Sequence, residues 1–278
     1  MGRLARGGAA DAMAWAALSL TVVAAVAGLA VAGLYRDNAA MVRQAQASDL
    51  ATLAAAVPVL AVGLWSARAG SAAGRLVVIG ALGFIAYTYA IFAFSVVIGA
   101  ATPVHIAIVG LSVWSLGLMA ASVEGSPPDP ALAARLPRRV TAAFLLVVAA
   151  LFAFTWLGLI AGAITSGRLP PAVADLGLPT NPVYTLDLAF VLPLLALGGV
   201  RLLRRDPRGP ATALALLVFS VLMGVAVLAM FLVEVKAGGA VDAPIALVFA
   251  VVVLVGTGLL ALALAPARRG PLVAPAAP

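Results

Sequence analysis

Long runs of apolar residues dominate this sequence and limit what it can fold into. Eight runs lie at roughly 12–34, 49–67, 76–98, 103–122, 139–165, 183–201, 211–234 and 243–266. A helix of about 20 apolar residues crosses the ~30 Å hydrocarbon layer of a bilayer. Backbone polar groups in hydrocarbon must be paired, and runs of this length fit helices better than the shorter, alternating strands of a barrel. The sequence predicts an all-α, polytopic transmembrane helix bundle of about eight spans, surrounded by the lipid bilayer.

The composition supports a membrane protein and excludes several kinds of binding and catalytic site. The chain is 64% hydrophobic and 10% charged, whereas a soluble domain is about half apolar and about a quarter charged. It has no cysteine and one histidine, His105, so disulfides, thiolate metal sites and histidine-rich metal sites are excluded. No nucleotide-binding, metalloprotease or serine-hydrolase motif occurs. We expect no metal site and no cofactor, assign no catalytic residue, and favour a function other than an enzyme.

The basic residues predict the orientation. With the N-terminus inside, 13 of the 17 basic residues fall on the inner side, among them the cluster Arg201, Arg204, Arg205 and Arg208. Cytoplasmic loops carry an excess of Lys and Arg. We therefore read the net charge of +7 as membrane topology and not as nucleic-acid binding.

The predicted location is a bacterial inner membrane, crossed several times with both termini cytoplasmic. The bacterial origin is an association with the Ala-, Gly-, Val- and Arg-rich composition. The first apolar run follows Arg3 and Arg6, as in a signal peptide, but it is longer than the 7–15 residues of a signal-peptide core. We interpret it as the first span.

The polar, proline-rich segment after the fourth run divides the chain. We predict a first transmembrane half at 1–122, a cytoplasmic linker at 123–138, a second half at 139–266 and a disordered cytoplasmic tail at 267–278.

The two halves share a short pattern. Asp49-Leu-Ala precedes Pro58, and Asp187-Leu-Ala precedes Pro193, with spacings that differ by three residues. Four spans in each half would make a 4+4 parallel repeat, as in some transporters. Chance is the alternative, because Leu, Ala and Gly matches are common in this chain.

Asp187 is the leading candidate for a ligand- or ion-binding residue. It lies 14 residues before Arg201, or ~21 Å along a helix, which places it inside the hydrocarbon layer. Charged side chains there cost ~2.5–3.5 kcal/mol on insertion scales and face cavities or partners. The structural alternative is a carboxylate in the second turn of a helix that begins at Asn181-Pro182, near its positive end.

Four further residues are candidates for the same site. Tyr87 and Tyr89 lie near the middle of the third run, where their hydroxyl groups need partners, and Asp187 is one. We expect Asp49 to be the N-cap of the second span at the outer interface. We expect His105, after Pro103, to be an interfacial polar residue, although a histidine there could also titrate near neutral pH.

Two other pairs carry weaker expectations. Glu234 and Lys236 close the seventh run, and both are expected to reach toward the interface. Gly158 and Gly162 have the Gly-x-x-x-Gly spacing that permits close helix contact.

Two stretches carry a resemblance to known sequences. The first runs from Gly74-Arg75-Leu76 through Gly80, Gly83, Tyr87-Thr-Tyr89-Ala90 and Phe94, and the second is Asn181-Pro-Val-Tyr-Thr-Leu-Asp187-Leu-Ala-Phe190 with Pro193. Over about a third of the chain, the sequence resembles a group of uncharacterised bacterial multi-spanning membrane proteins. The resemblance implies that these polar positions belong to a shared pattern, and it implies nothing about a substrate.

Three functions are compatible with these features. The first is a permease for a small solute or ion, with a water-accessible cavity near Asp187 lined by spans two, three, six and seven. The second is a non-catalytic scaffold or accessory subunit, with a packed, dry bundle that has no cavity and a conspicuous small-residue face such as Gly158 and Gly162. The third is a membrane-embedded enzyme for a lipid-like substrate, which requires Asp49, His105 and Asp187 within a few ångströms of one another.

Overall fold

The computed structural model describes residues 2–126, 129–239 and 242–265. Eight of its helices are long and apolar enough to cross a membrane. They are α1 Gly2–Ala30, α2 Ala39–Arg68, α3 Ala72–Ser95, α4 Thr102–Glu124, α5 Arg138–Ser166, α6 Pro182–Leu203, α7 Gly209–Lys236 and α8 Ala243–Leu264. The described residues contain no strand. The prediction of an all-α bundle with eight spans is confirmed, and the chain is an integral membrane protein.

The second helix begins much earlier than its apolar run. The N-cap of α2 is Asn38, whose Oδ1 accepts a hydrogen bond of 2.9 Å from the Met41 amide. The first turns were missed because they carry Arg43 and other polar residues, although Met41 and Ala45 are buried. The expected N-cap role of Asp49 is therefore wrong, because Asp49 lies ten residues inside the helix.

A wide π-helical turn interrupts both α2 and α6. It covers Thr52–Ala56 in α2 and Asp187–Val191 in α6. In each case the amide of the residue after the turn bonds to the carbonyl five residues back. The second residue after the turn is a proline, Pro58 in α2 and Pro193 in α6. Proline has no amide hydrogen and its ring clashes with the preceding turn, so the local widening has a physical cause.

The two π turns change the match between Asp49 and Asp187 that the sequence pattern suggested. When Pro58 is aligned with Pro193, the equivalent of Asp187 is Thr52, and the equivalent of Asp49 is Tyr184. The two aspartates therefore occupy different positions relative to the break. The 4+4 repeat stays a prediction, and the matched breaks are its best structural support.

Buried side chains form two apolar cores. The first is built mainly by α1–α4, and the second mainly by α5–α8. Helix α7 contributes to both, with Val218, Phe219 and Leu222 in the first core and Leu214 and Leu217 in the second. The division into two halves stays a prediction, and α7 is the element that packs against both groups of helices.

The predicted linker contains a short helix, Pro130–Arg135, that packs against the second core. Its N-cap is Asp129, and Leu132 and Leu136 are buried in that core. The predicted disordered tail, 267–278, lies outside the described residues.

Helices α3 and α7 pack closely against each other where the two groups of helices meet. A Cβ atom on Gly80 would clash with the backbone carbonyl of Ala215 and would lie 2.7 Å from the Val218 Cβ. Small residues permit such contact between membrane helices.

We predict that Gly80→Ala lowers the free energy of unfolding in detergent by about 1–3 kcal/mol, because the new methyl group overpacks the α3–α7 contact. The measurement is the midpoint of thermal or denaturant unfolding. Gly83→Ala is the matched control on the same helix, since its Cβ would lie 3.5 Å from its nearest neighbours, an ordinary contact distance. Equal midpoints for the two variants would contradict this description of the interface.

Candidate membrane-embedded site

Asp187 joins three helices through its two carboxylate oxygens. The Tyr87 hydroxyl on α3 donates a hydrogen bond of 2.9 Å to Oδ1, and the Trp156 indole on α5 donates one of 2.7 Å to Oδ2. Asp187 itself begins the π turn of α6 and is half-buried. The expected partnership between Tyr87 and Asp187 is confirmed. Asp187 is therefore a half-buried carboxylate inside a membrane span that accepts hydrogen bonds from two other helices.

Aromatic rings cover one side of this site. The Trp156 ring lies 5.0 Å from Tyr184 and 5.8 Å from Phe152, measured between ring centroids, and Phe152 lies 5.3 Å from Phe249. Tyr184 and Asp187 are three residues apart on α6, a spacing that places them on one helix face. Asp187 therefore lies beside a row of four aromatic side chains contributed by α5, α6 and α8.

Asp49 occupies a separate and more enclosed position in the first half. It is fully buried, and its Oδ2 accepts a hydrogen bond of 2.7 Å from the Tyr35 hydroxyl. Its Oδ1 has no hydrogen-bond partner within the described protein. Gly28 on α1 fits directly against the carboxylate, since a Cβ there would clash with it and would lie 2.6 Å from the Tyr35 hydroxyl.

Tyr35 reaches Asp49 from the connection between α1 and α2. Burial and the neighbouring Asp49 carboxylate raise the pKa of the Tyr35 hydroxyl above its ordinary value. The hydroxyl therefore keeps its proton at neutral pH and remains a donor to Asp49.

The two tyrosines of α3 point to different sites. Residues two apart on a helix lie on nearly opposite faces, and the Tyr89 hydroxyl donates to the Thr21 carbonyl at 3.3 Å instead of to Asp187. His105 packs beside Tyr89, with ring centroids 5.5 Å apart, and is 2% exposed. The ring of His105 turns inward between aromatic side chains, and its place at the membrane interface stays a prediction.

The five predicted residues thus divide into two clusters. Tyr87 bonds to Asp187, whereas Tyr89 and His105 pack against Phe92, which contacts Tyr35, the hydrogen-bond partner of Asp49. Among the described side chains, no hydrogen bond or ion pair connects Asp187 with Asp49 or His105. The contacts do not assemble the three-residue site that an enzyme of this kind required.

Ion pairs connect the two groups of helices at both ends of the bundle. At one end, Arg43 on α2 makes two contacts with Glu234 on α7, at 3.0 and 3.2 Å. At the other end, Glu124 of α4 contacts Arg201 at 2.7 Å and Arg208 at 3.2 Å. Glu234 is therefore paired and does not simply reach toward the interface. We call these ends the Glu234 end and the arginine end.

Two cavities lie at the arginine end. One of about 160 Å³ is lined by Leu136, Leu202 and Asp206 among others, and a more open one of about 290 Å³ lies at Trp65 and Arg68. Neither reaches a candidate residue, so the cavity expected around Asp187 is not among them.

The side chains around Asp187 determine which chemical groups are available for binding there. The described residues contain no group of three or more His, Asp or Glu side chains arranged to hold a metal ion. The Asp187 site offers a carboxylate, a phenol, an indole and aromatic faces, and each of these groups can contact a cation.

Three contributors to these sites were not predicted. Trp156 and Tyr35 lie far from their aspartates in sequence, and only the fold brings them together. Gly28 was indistinguishable from the other 26 glycines of the chain. The aromatic character of Trp156 within a span was the one available signal, since an indole N–H in hydrocarbon needs an acceptor.

Comparisons with known proteins found no match. No protein-family model, no curated protein and no solved structure is similar to this chain. The interpretation of the site therefore rests on its own geometry.

We predict that Tyr35→Phe lowers the free energy of unfolding by about 1–3 kcal/mol, because Asp49 loses the one side-chain donor that the described residues give it. In an Asp49→Leu background the same change is expected to have less than half this effect, since no buried carboxylate remains to be left unpaired. Unfolding midpoints of the four variants in one detergent measure the coupling. Equal effects of Tyr35→Phe in both backgrounds would show that the hydrogen bond contributes nothing to stability.

Proposed function

We propose that this protein is a permease-type transport protein for a cation or proton, with its binding site at Asp187. The observation that carries the proposal is the position of Asp187. It is a membrane-embedded carboxylate, it pairs with no basic side chain among the described residues, and it bonds across the boundary between two groups of helices. Ionisable residues in such positions are typical of ion and substrate pathways.

The arrangement of polar contacts along that boundary supports transport. Arg43–Glu234 closes the Glu234 end, Glu124–Arg201 closes the arginine end, and Tyr87–Asp187 lies between them. In alternating access, a central site opens to one side while the other side stays closed. Breaking one ion pair at a time while the α3–α7 contact is kept would accomplish this.

The interrupted helices are the second support. Secondary transporters place their sites at broken helices that occur in corresponding positions of two repeats. Here α2 and α6 each have a π turn followed by a proline, and Asp187 is the first residue of the turn in α6.

The orientation is part of the proposal. We place the arginine end in the cytoplasm, following the distribution of basic residues, with the membrane being a bacterial inner membrane. The Glu234 end is then the outer side, and the small solute or ion reaches Asp187 from there.

A scaffold or accessory subunit is the second candidate function, and one observation favours it. The Gly158 and Gly162 positions of α5 have no other side chain or backbone within 4 Å of an added Cβ. The glycine pair therefore makes no close helix contact within the described chain. A scaffold would show no ion flux that depends on Asp187, so the experiment below separates the two functions.

We predict that purified protein in liposomes conducts protons in response to a potassium diffusion potential, and that Asp187→Asn reduces this flux about tenfold or more. The carboxylate is the group that carries the charge through the hydrocarbon layer, and the amide cannot replace it. The measurement is the fluorescence of a pH-sensitive dye trapped inside the vesicles.

Asp129→Asn is the matched control. It makes the same change at an exposed carboxylate that caps the short linker helix, and Asn is an equally good N-cap. Its flux is expected to equal that of the unaltered protein. Flux that is the same in Asp187→Asn and in the unaltered protein would contradict the proposed site, and flux no greater than in protein-free vesicles would favour the scaffold.

A further inference from the structure

The Asp187 carboxylate has unused capacity to bind a cation. Each of its oxygens accepts one hydrogen bond in the structure, whereas an ionised carboxylate offers about four acceptor positions. No Lys, Arg or His side chain among the described residues pairs with it. A half-buried, uncompensated carboxylate in a membrane span attracts a positive ligand.

The surroundings favour an organic cation over a metal ion. Metal ions such as Ca²⁺ take six to eight oxygen ligands, and the described part of the chain holds no group of three or more His, Asp or Glu side chains that could supply them. Aromatic rings fill that space instead, with Trp156 directly beside Tyr184 at 5.0 Å. Aromatic faces bind cations, Trp most strongly, and substituted ammonium groups are the ligands best suited to them.

We propose that Asp187, Trp156 and Tyr184 form a binding site for a lipophilic organic cation, such as a substituted amine or a quaternary ammonium compound. The positive charge lies against the carboxylate, and the apolar substituents pack on the aromatic row that continues through Phe152 to Phe249. This names the substrate class of the transport site and therefore rests on the proposed function.

The test is equilibrium binding of radiolabelled tetraphenylphosphonium to the purified full-length protein in detergent. We expect saturable binding by the unaltered protein, at least about tenfold weaker binding by Asp187→Asn, and several-fold weaker binding by Trp156→Ala. Asp187→Glu keeps the carboxylate and is expected to retain most of the binding.

Two controls distinguish recognition of the positive charge from nonspecific hydrophobic binding. Tetraphenylborate has the same shape and the opposite charge, so radiolabelled tetraphenylborate, measured alone in a separate assay, should show no saturable binding. Asp49→Asn changes a second membrane-embedded carboxylate, which is buried beside Tyr35 in the other cluster, and should leave binding unchanged. If Asp187→Asn is recovered only as aggregate, Trp156→Ala and Tyr184→Ala replace it as the deciding variants.

The outcomes are distinct from those of the flux experiment. No saturable binding of tetraphenylphosphonium, equal binding by Asp187→Asn, or equally strong saturable binding of tetraphenylborate in its own assay would overturn the organic-cation site. If proton flux depends on Asp187 and tetraphenylphosphonium does not bind, this inference fails and the transport function stands. If tetraphenylphosphonium binds through Asp187 and no flux occurs, the site stands and transport fails.

Discussion

The hydrogen bonds that Tyr87 and Trp156 donate to Asp187 hold three helices together within the membrane-spanning part of the bundle. A carboxylate in hydrocarbon must find partners inside the protein, because an unsatisfied polar group there costs several kcal/mol. The position of α3 relative to α5 and α6 depends on this requirement. The same bonds leave the carboxylate half-buried and without a positive partner, so one arrangement serves both the fold and the proposed binding site.

The polar and apolar contacts between the two groups of helices have different characters. The α3–α7 contact at Gly80 is close and apolar, and it resists change because packed interiors deform little. The ion pairs at Arg43–Glu234 and Glu124–Arg201 are partly exposed, and such pairs contribute at most about 1 kcal/mol each. A rigid centre with weakly held ends is suited to movement that opens one end at a time, which is the motion that the transport proposal requires.

The sequence was sufficient for the architecture but for only part of the site. Eight spans follow directly from the lengths of the apolar runs, because the thickness of the hydrocarbon layer sets the same minimum length for every span. Asp187 with Tyr87 was also predictable, since an isolated carboxylate in a span must have a donor. Trp156 and the inward turn of His105 depend on helix rotation, which apolar periodicity does not determine when lipid and core are equally apolar. The N-cap role predicted for Asp49 was wrong because the first turns of α2 are polar, so the apolar run begins well after the helix does.

Water access to position 187 tests the central claim most directly, and the chain has no native cysteine to confuse the result. Intact cells that carry Asp187→Cys would be treated with a membrane-impermeant thiol reagent. Thr180→Cys, in the exposed connection before α6, is the outer control, and Ala134→Cys, exposed on the linker helix, is the inner control. The transport account predicts labelling at 180 and, more slowly, at 187, with 134 protected until the cells are opened. Labelling at 180 with none at 187 would contradict it and would indicate a purely structural carboxylate.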